Sequence, residues 1–350
     1  MSFQRRIPPN AFGMAFGLIG LSGCWLTAAT AALVPHWAGT GLLALTAVVW
    51  LALLVAYCAQ PGGTRTIGAD LVHPVLAPFV TLMAITPMRL AALGLRPYAP
   101  SAGRVVVDAL VVVLVLHGCW FTGQLIYGDY PLHQIHPGYF LPTVAGGLLA
   151  ATSAAEVGQR GLGLALFGYG VLCWIILGSI ILGRLITGPP LPQALQPTLA
   201  IEVAPAAVAT TAWLSLHDGR IDVVTQLLAG YGVLMVLAQL RLVPLFRRLP
   251  FQLGFWSFTF SWAAVAIAAQ QWLQGTRPPG YVAWEWLALV SATVLIGGIG
   301  IRTVVALVRK QLFATPQHLP HPDEKDQPWT ASTLPSASAR ALPTSPPAST

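Results

Sequence analysis

Charge is what this sequence has least of. Only 8% of its 350 residues are Asp, Glu, Lys or Arg, where an ordinary soluble domain carries roughly 25%. So few charges cannot cover a soluble surface, and a chain that is 55% apolar with a mean hydropathy of +0.70 would aggregate in water. The same composition suits a protein whose outside faces lipid. One membrane-spanning helix takes about 20 apolar residues, so the chain has room for many spans and little else.

Acidic residues are scarcer still, 11 against 18 Lys and Arg, which leaves a net charge of +7. The basic residues stand singly at the ends of apolar runs, without the patch or aromatic-basic stripe of a nucleic-acid surface. An excess of Lys and Arg on the cytoplasmic side of membrane spans accounts for them. The four cysteines, Cys24, Cys58, Cys119 and Cys173, lie inside apolar runs with no metal or redox spacing. The chain also lacks a phosphate-binding glycine loop, a dinucleotide fingerprint, a metal cluster and a Ser/His/Asp order at plausible sites. These gaps argue against an enzyme, a cofactor or a bound metal.

Leu21-Ser22-Gly23-Cys24, preceded by Arg5 and Arg6, has the form of a bacterial lipoprotein cleavage box. A processed lipoprotein would continue as a polar tether. This chain stays apolar to Val34, so the segment reads as a first membrane helix and not a removed signal.

Ten apolar stretches follow one another, at 11–34, 40–59, 73–94, 104–126, 138–155, 162–186, 197–216, 221–244, 251–273 and 283–308. Short connections join them. From Phe313 onward Pro, Ser, Thr, Ala and His dominate, a composition that cannot bury a core. The expected organisation is a ten-helix membrane domain over residues 1–312 and a disordered Pro/Ser-rich cytoplasmic tail over 313–350. With the N-terminus inside, twelve of the eighteen basic residues fall on the inner side. That places both termini in the cytoplasm and the protein in the cell membrane as a multi-pass chain.

Proline supplies the internal repeat. Pro9, Pro74, Pro137, Pro197 and Pro250 each open an odd-numbered stretch, at spacings of 65, 63, 60 and 53 residues. Proline suits the first turn of a helix, where its missing N–H costs nothing. Further prolines lie deeper in odd stretches: Pro78 and Pro87 in the third, Pro142 in the fifth and Pro205 in the seventh. The cores of the even stretches hold none. The pattern reads as a helical hairpin repeated five times. An interior proline frees a carbonyl, and inside a membrane such a break survives only where protein or a water-filled cavity covers it. The expectation is an all-α integral membrane fold in which the odd helices line a central pore and the even helices form an outer ring against lipid.

Several segments carry a family resemblance. They are Ile7-Pro8-Pro9-Asn10-Ala11-Phe12-Gly13; His73-Pro74 followed by Phe79; His136-Pro137-Gly138-Tyr139-Phe140-Leu141-Pro142-Thr143-Val144-Ala145-Gly146; Leu195-Gln196-Pro197-Thr198-Leu199 through Ala204-Pro205; and Phe255-Trp256-Ser257-Phe258-Thr259-Phe260. Each alone is weak; in this order they resemble the tellurite-resistance/dicarboxylate transporter family over residues 7–310. That family includes bacterial tellurite-resistance permeases, fungal malate permeases, sulfite efflux pumps and the slow anion channels of plant guard cells. The resemblance implies ten helices in five hairpins, a homotrimer with one pore per subunit, and a phenylalanine on the ninth helix that plugs the pore. The matching residue is Phe260, with Phe255 or Phe258 as alternatives if the register shifts.

Other residues carry two readings each. Phe12, Phe79 and Phe140, early in odd helices, either narrow the inner mouth or pack. Glu202, the one carboxylate within an odd stretch, is either a proton-coupling group, as intramembrane acids often are, or a hydrated or Arg184-paired group near the inner helix end. His73 and His136 cap helices or add positive charge to an inner vestibule. His117 reads as a hydrogen-bonded packing residue, and Arg89 either attracts anions on the outer side or reaches to the interface. Gly13 and Gly17, four apart, have the spacing of close helix packing.

The function expected is movement of small anions (tellurite, chloride, nitrate, sulfite or a C4-dicarboxylate) through each subunit, passive or weakly coupled. The alternative is a proton-coupled carrier for a dicarboxylate or sulfite using Glu202. Single cysteines placed in a background lacking the four native ones are expected to react with a water-soluble thiol reagent mainly on odd-numbered stretches. Reaction mainly on even-numbered stretches would contradict the two-ring arrangement.

Overall fold

The computed structural model describes residues 6–62, 64–128, 132–309 and 311–312; the segment expected to be a disordered tail, 313–350, lies outside them. Among the described residues every regular element is helical. Twelve α-helices run as α1 Gly13–Thr30, α2 His36–Cys58, α3 Thr64–Val72, α4 Ala77–Val80, α5 Leu82–Leu90, α6 Pro100–Tyr127, α7 Gly146–Glu156, α8 Arg160–Thr187, α9 Ala204–Leu216, α10 Val223–Phe246, α11 Trp256–Thr276 and α12 Tyr281–Val308. With their flanking turns, nine segments among the described residues are long and apolar enough to cross a membrane. The fifth expected stretch is not among the nine, and its winding changes along its length. Pro137–Tyr139 is a 3-10 turn, Leu141–Ala145 a π turn, and only Gly146–Glu156 is α.

The proline-bearing segments share this irregularity. Pro9–Phe12 before α1, Gln196–Val203 before α9 and Leu253–Phe255 before α11 are 3-10 turns, and Ala91–Leu95 after α5 is a π turn. The deeper prolines restart helices more than they kink them. Pro78 is the second residue of α4, Pro142 the second of the π turn and Pro205 the second of α9, positions where an absent N–H leaves no bond unmade. Pro87 alone lies inside its helix, α5. The long helices α2, α6, α8, α10 and α12 are α throughout, with Pro244 in the last turn of α10 the one interior proline among them.

Breaks in the ladder free carbonyls, and the straight helices supply donors. Pro87 has no N–H for the Met83 carbonyl; the indole of Trp50 on α2 donates to that oxygen at 3.2 Å. The amide of Gln239 on α10 donates to the Leu199 carbonyl in the 3-10 run at 2.6 Å. Unpaired, such a group would cost about 1–3 kcal/mol when buried.

Burial separates the two kinds of helix. In the most apolar stretch of each segment, 78% of residues are buried for Gln196–Leu216 but 17% for Val223–Phe246. The broken segments meet one another in a cycle: α1 on α5, α5 on α7, α7 on α9, α9 on α11, and α11 back on α1. Each straight helix packs outside them, α2 on α1 and α5, α6 on α5 and α7, α8 on α7 and α9, α12 on α11 and α1, while α10 lies on α9 and its 3-10 lead. Their outward faces are apolar and exposed: Val48, Leu51 and Val55 on α2, Leu172, Ile175 and Ile176 on α8, Val294 and Ile301 on α12.

A common turn ends three of the broken helices, α1, α7 and α9. Ala32, Gly158 and Asp218 take left-handed backbone, with φ of 57°, 81° and 54°. In each, the next residue's N–H reaches back five residues: Leu33 to Ala28, Gln159 to Ala154, Gly219 to Leu214. This bond closes the open carbonyl end of a helix and turns the chain sharply. After α9 the Asp222 carboxylate then caps α10, accepting from the Thr225 N–H at 3.0 Å. The Trp213 indole N–H also donates to Asp222, at 2.9 Å to Oδ2, and the Thr225 and Trp213 hydrogen bonds hold its carboxyl below the ordinary range.

The cycle closes at a glycine seam. A Cβ on Gly17 would lie 2.7 Å from Thr259 Cβ, and one on Gly20 2.8 Å from Ala263 Cβ. The Gly13–Gly17 spacing read in the sequence thus continues to Gly20 on the face of α1 that meets α11. Gly17→Leu is expected to lower stability by about 1–3 kcal/mol, the usual cost of overpacking, read as a lower thermal midpoint in detergent. Gly41→Leu on α2, where a Cβ meets open space, is expected to leave that midpoint unchanged.

Candidate functional site

The broken segments enclose two cavities stacked end to end. The first, about 640 Å³ with its open mouth, lies among their N-terminal parts, and its lining has no charged side chain. Asn10, Ser257 and Ser261 supply its polar groups among Phe79, Phe140, Leu148, Ile201, Pro205 and other apolar residues. The second, about 950 Å³ with its mouth, lies toward their C-terminal ends, where Thr27, Thr152, Thr211, Ser215, Gln271 and Gln274 line it together with Arg89 and Glu156. Two residues line both cavities, Phe260 and Val208.

Phe260 reaches this place as the fifth residue of α11, one turn past the 3-10 lead. Its ring stacks on that of Phe16 from α1, with centroids 3.8 Å apart and planes 14° from parallel. The two rings lie nearly face to face. Phe258 and Phe255, the register alternatives, line neither cavity. Phe258 is buried edge-on against Phe246 of α10 at 4.8 Å, and Phe255 packs on Phe251 at 5.4 Å.

The three early phenylalanines divide. Phe79 and Phe140 line the first cavity. Phe12 does not: it is fully buried, with its ring edge-on to Tyr57 of α2 at 6.0 Å. Asn10 and Gly13 face the cavity from the same tight turn, and Phe12 between them points away, into the packing between α1 and α2. Glu202 also lines neither cavity. It is buried in the 3-10 run, close enough to Tyr231 of α10 to act on it electrostatically.

The two His-Pro pairs act as caps. Nδ1 of His73 accepts from the N–H groups of Val75 and Leu76 at 3.1 and 3.2 Å, and Nδ1 of His136 accepts from Gly138 at 3.1 Å. A ring nitrogen that accepts belongs to a neutral imidazole, and burial pushes the His73 imidazole below its ordinary value. Neither ring adds positive charge to the vestibule. His117 is half-buried on α6 among the apolar side chains of α2 and α5, but its Nε2 makes no hydrogen bond there, so the hydrogen-bonded packing expected of it is not seen.

Arg89 does not reach an interface alone. Its guanidinium forms a two-pronged ion pair with Glu156, Nη1 to Oε2 at 2.7 Å and Nη2 to Oε1 at 3.0 Å, and Nη1 also donates to Ser153 Oγ at 3.0 Å. Neither Phe16 nor this pair stood out in the sequence. Phe16 is one apolar residue within an apolar run, and Arg89 and Glu156 are 67 positions apart. The sequence signal available was position: Arg89 and Glu156 each end a proline-bearing segment.

A model of the voltage-dependent anion channel family, SLAC1, matches residues 6–304. The chain is 28% identical over 309 residues to the tellurite resistance protein TehA homolog of Haemophilus influenzae, covering 88% of this chain and 93% of that protein. It is 23% identical over 336 residues to the S-type anion channel SLAH3 of Arabidopsis thaliana, and 23% over 296 residues to the guard cell S-type anion channel SLAC1 of the same plant. These matches cover 89% and 80% of this chain and 50% and 51% of the plant proteins, so the chain spans about half the length of those relatives.

Proposed function

The chain belongs to the voltage-dependent anion channel family, and from that premise we propose that it conducts small anions along the axis of its five broken segments, past a closure formed by Phe260. The observation that carries this reading is the placement of one aromatic ring as a shared wall between two cavities on that axis. In this arrangement ten spans form five hairpins, with the broken segment 137–156 as the fifth span. The N-terminus lies in the cytoplasm, and the assembly is a trimer with one pathway per subunit.

The chemistry of the path follows from its lining. Helix N-termini carry partial positive charge, and the proline-headed segments present theirs to the first cavity. Serine hydroxyls and the Asn10 amide donate hydrogen bonds there. An anion is therefore drawn in without meeting a fixed charge that would hold it, and weak binding permits fast exit. At Phe260 the way is closed by a ring that offers water no partner, so a hydrated ion is excluded until the ring turns. Phe16, stacked on it, moves with it or holds it shut.

Movement without proton coupling is the favoured mode, because Glu202 sits against α10 and lines neither cavity. In proteoliposomes, Phe260→Ala is expected to raise chloride flux severalfold over the wild-type chain, and Phe16→Ala to raise it less. Equal flux in wild type and Phe260→Ala would defeat the proposed closure.

A further inference from the structure

Among the described residues that line the two cavities, Arg89 and Glu156 are the charged ones, and they face each other in the second cavity. The place is electrostatically unusual. The broken helices end there, and helix C-termini carry partial negative charge. An anion arriving past Phe260 meets these dipoles, and Arg89 is the one cation lining the cavity to offset them. Its guanidinium is already engaged by the Glu156 carboxylate. The side chains are 11% and 22% exposed, so water screens the pair only partly.

We propose that Arg89 is the anion-binding group of this second vestibule and that Glu156 is a tethered substitute for the passing anion, occupying the guanidinium fork whenever no anion does. The inference rests on the axial pathway proposed above. The geometry specifies the class of ligand. Glu156 meets Nη1 and Nη2 with its two oxygens, at 2.7 and 3.0 Å. An anion with two oxygens in one plane, such as a carboxylate, can take over both bonds, as fork-to-fork pairing requires. A halide, a single acceptor atom, can bridge the two N–H groups but cannot form the two parallel bonds. Ser153 Oγ, 3.0 Å from Nη1, remains as a third polar contact for whichever group is bound.

Exchange also explains why a cation can stand in a conducting path without trapping its cargo. A free guanidinium in a partly dry cavity would hold an anion tightly. Here the leaving anion is replaced by a carboxylate already in place. Glu156 is the last residue of α7, directly before the Val157-Gly158 turn, where Gly158 has φ of 81°. Its side chain therefore hangs from a helix end, where it can swing off the fork without disturbing the packed turns before it.

The competing reading is a clamp that only ties α5 to α7, and the two differ in selectivity. The permeability ratio of formate, the simplest carboxylate, to chloride is to be measured in proteoliposomes containing the full chain. Glu156→Gln is expected to raise that ratio severalfold and to make formate flux saturate at lower concentration. Arg89→Gln is expected to lower the ratio, and the double variant to behave as Arg89→Gln does. Should Arg89→Gln fail to fold, Arg89→Lys, which keeps the charge and loses the fork, is expected to lose the formate preference. Unchanged ratios and saturation in these variants, with only a lower thermal midpoint, would establish the clamp and overturn the exchange. Phe260→Ala measured alongside separates the two proposals. Raised flux in that variant with unchanged ratios in the others sinks the exchange alone, and unchanged flux sinks the pathway itself.

Discussion

Every peptide group inside hydrocarbon must find a partner within the protein, and this requirement arranges the whole molecule. A continuous α-helix meets it alone and can stand against lipid, as α2, α6, α8, α10 and α12 do with Val, Leu and Ile outward. A segment that changes from 3-10 to α, or carries a proline, leaves carbonyls open and must be wrapped. The five broken segments are therefore the buried ones, and their open groups are met from outside by Trp50 and Gln239. Two straight helices thus give up apolar side chains at single points to complete the backbone of their neighbours.

The same constraint leaves room along the axis of the five broken segments. Broken segments brought together leave space between them that side chains do not fill, and glycine, alanine and serine along these helices keep it open. The result is two cavities with a lining almost without charge, divided by Phe260. A charged lining would select ions by binding them and would slow them. A polarised, uncharged one relies on helix ends and hydroxyls. The one ion pair in the path, Arg89 with Glu156, keeps to this logic because it is internally neutral.

Much of this was legible in the sequence because proline is a backbone instruction. The spacing of Pro9, Pro74, Pro137, Pro197 and Pro250 located the starts of the segments that turned out to be irregular and buried, and the near absence of charge set the class of protein. The caps at His73 and His136 were legible for the same reason, since a residue before proline is extended and its side chain can turn back to the helix start. Side-chain direction was not legible. Phe12 and Phe16 look alike in sequence, yet a 3-10 turn sends Phe12 to Tyr57 while α1 carries Phe16 to Phe260. Glu202 stood out as a lone acid in an apolar run, but the run's 3-10 winding places it behind the cavity wall. The Arg89–Glu156 pair depends on two helix ends meeting, which no local pattern records.

The position of Phe260 follows from how a chain of repeated hairpins becomes a ring. Four of the five contacts between broken segments join segments that follow one another in the chain; the fifth joins the first to the last, where α1 meets α11. Glycine makes that junction close. A Cβ on Gly20 would come within 3.2 Å of the Phe260 ring and 2.8 Å of Ala263. The bare face of α1 therefore lets α11 approach until Phe260 overlaps Phe16 across the seam. On α1 it faces a stacked ring on one turn and the bare backbone of Gly20 on the next. A side chain can swing at such a boundary without repacking a core, because the groups it slides past are flat or missing. The Phe260 ring thus stands at the one junction, among these five, between broken segments that do not follow each other in the chain, where a small change in separation most directly changes the room around it.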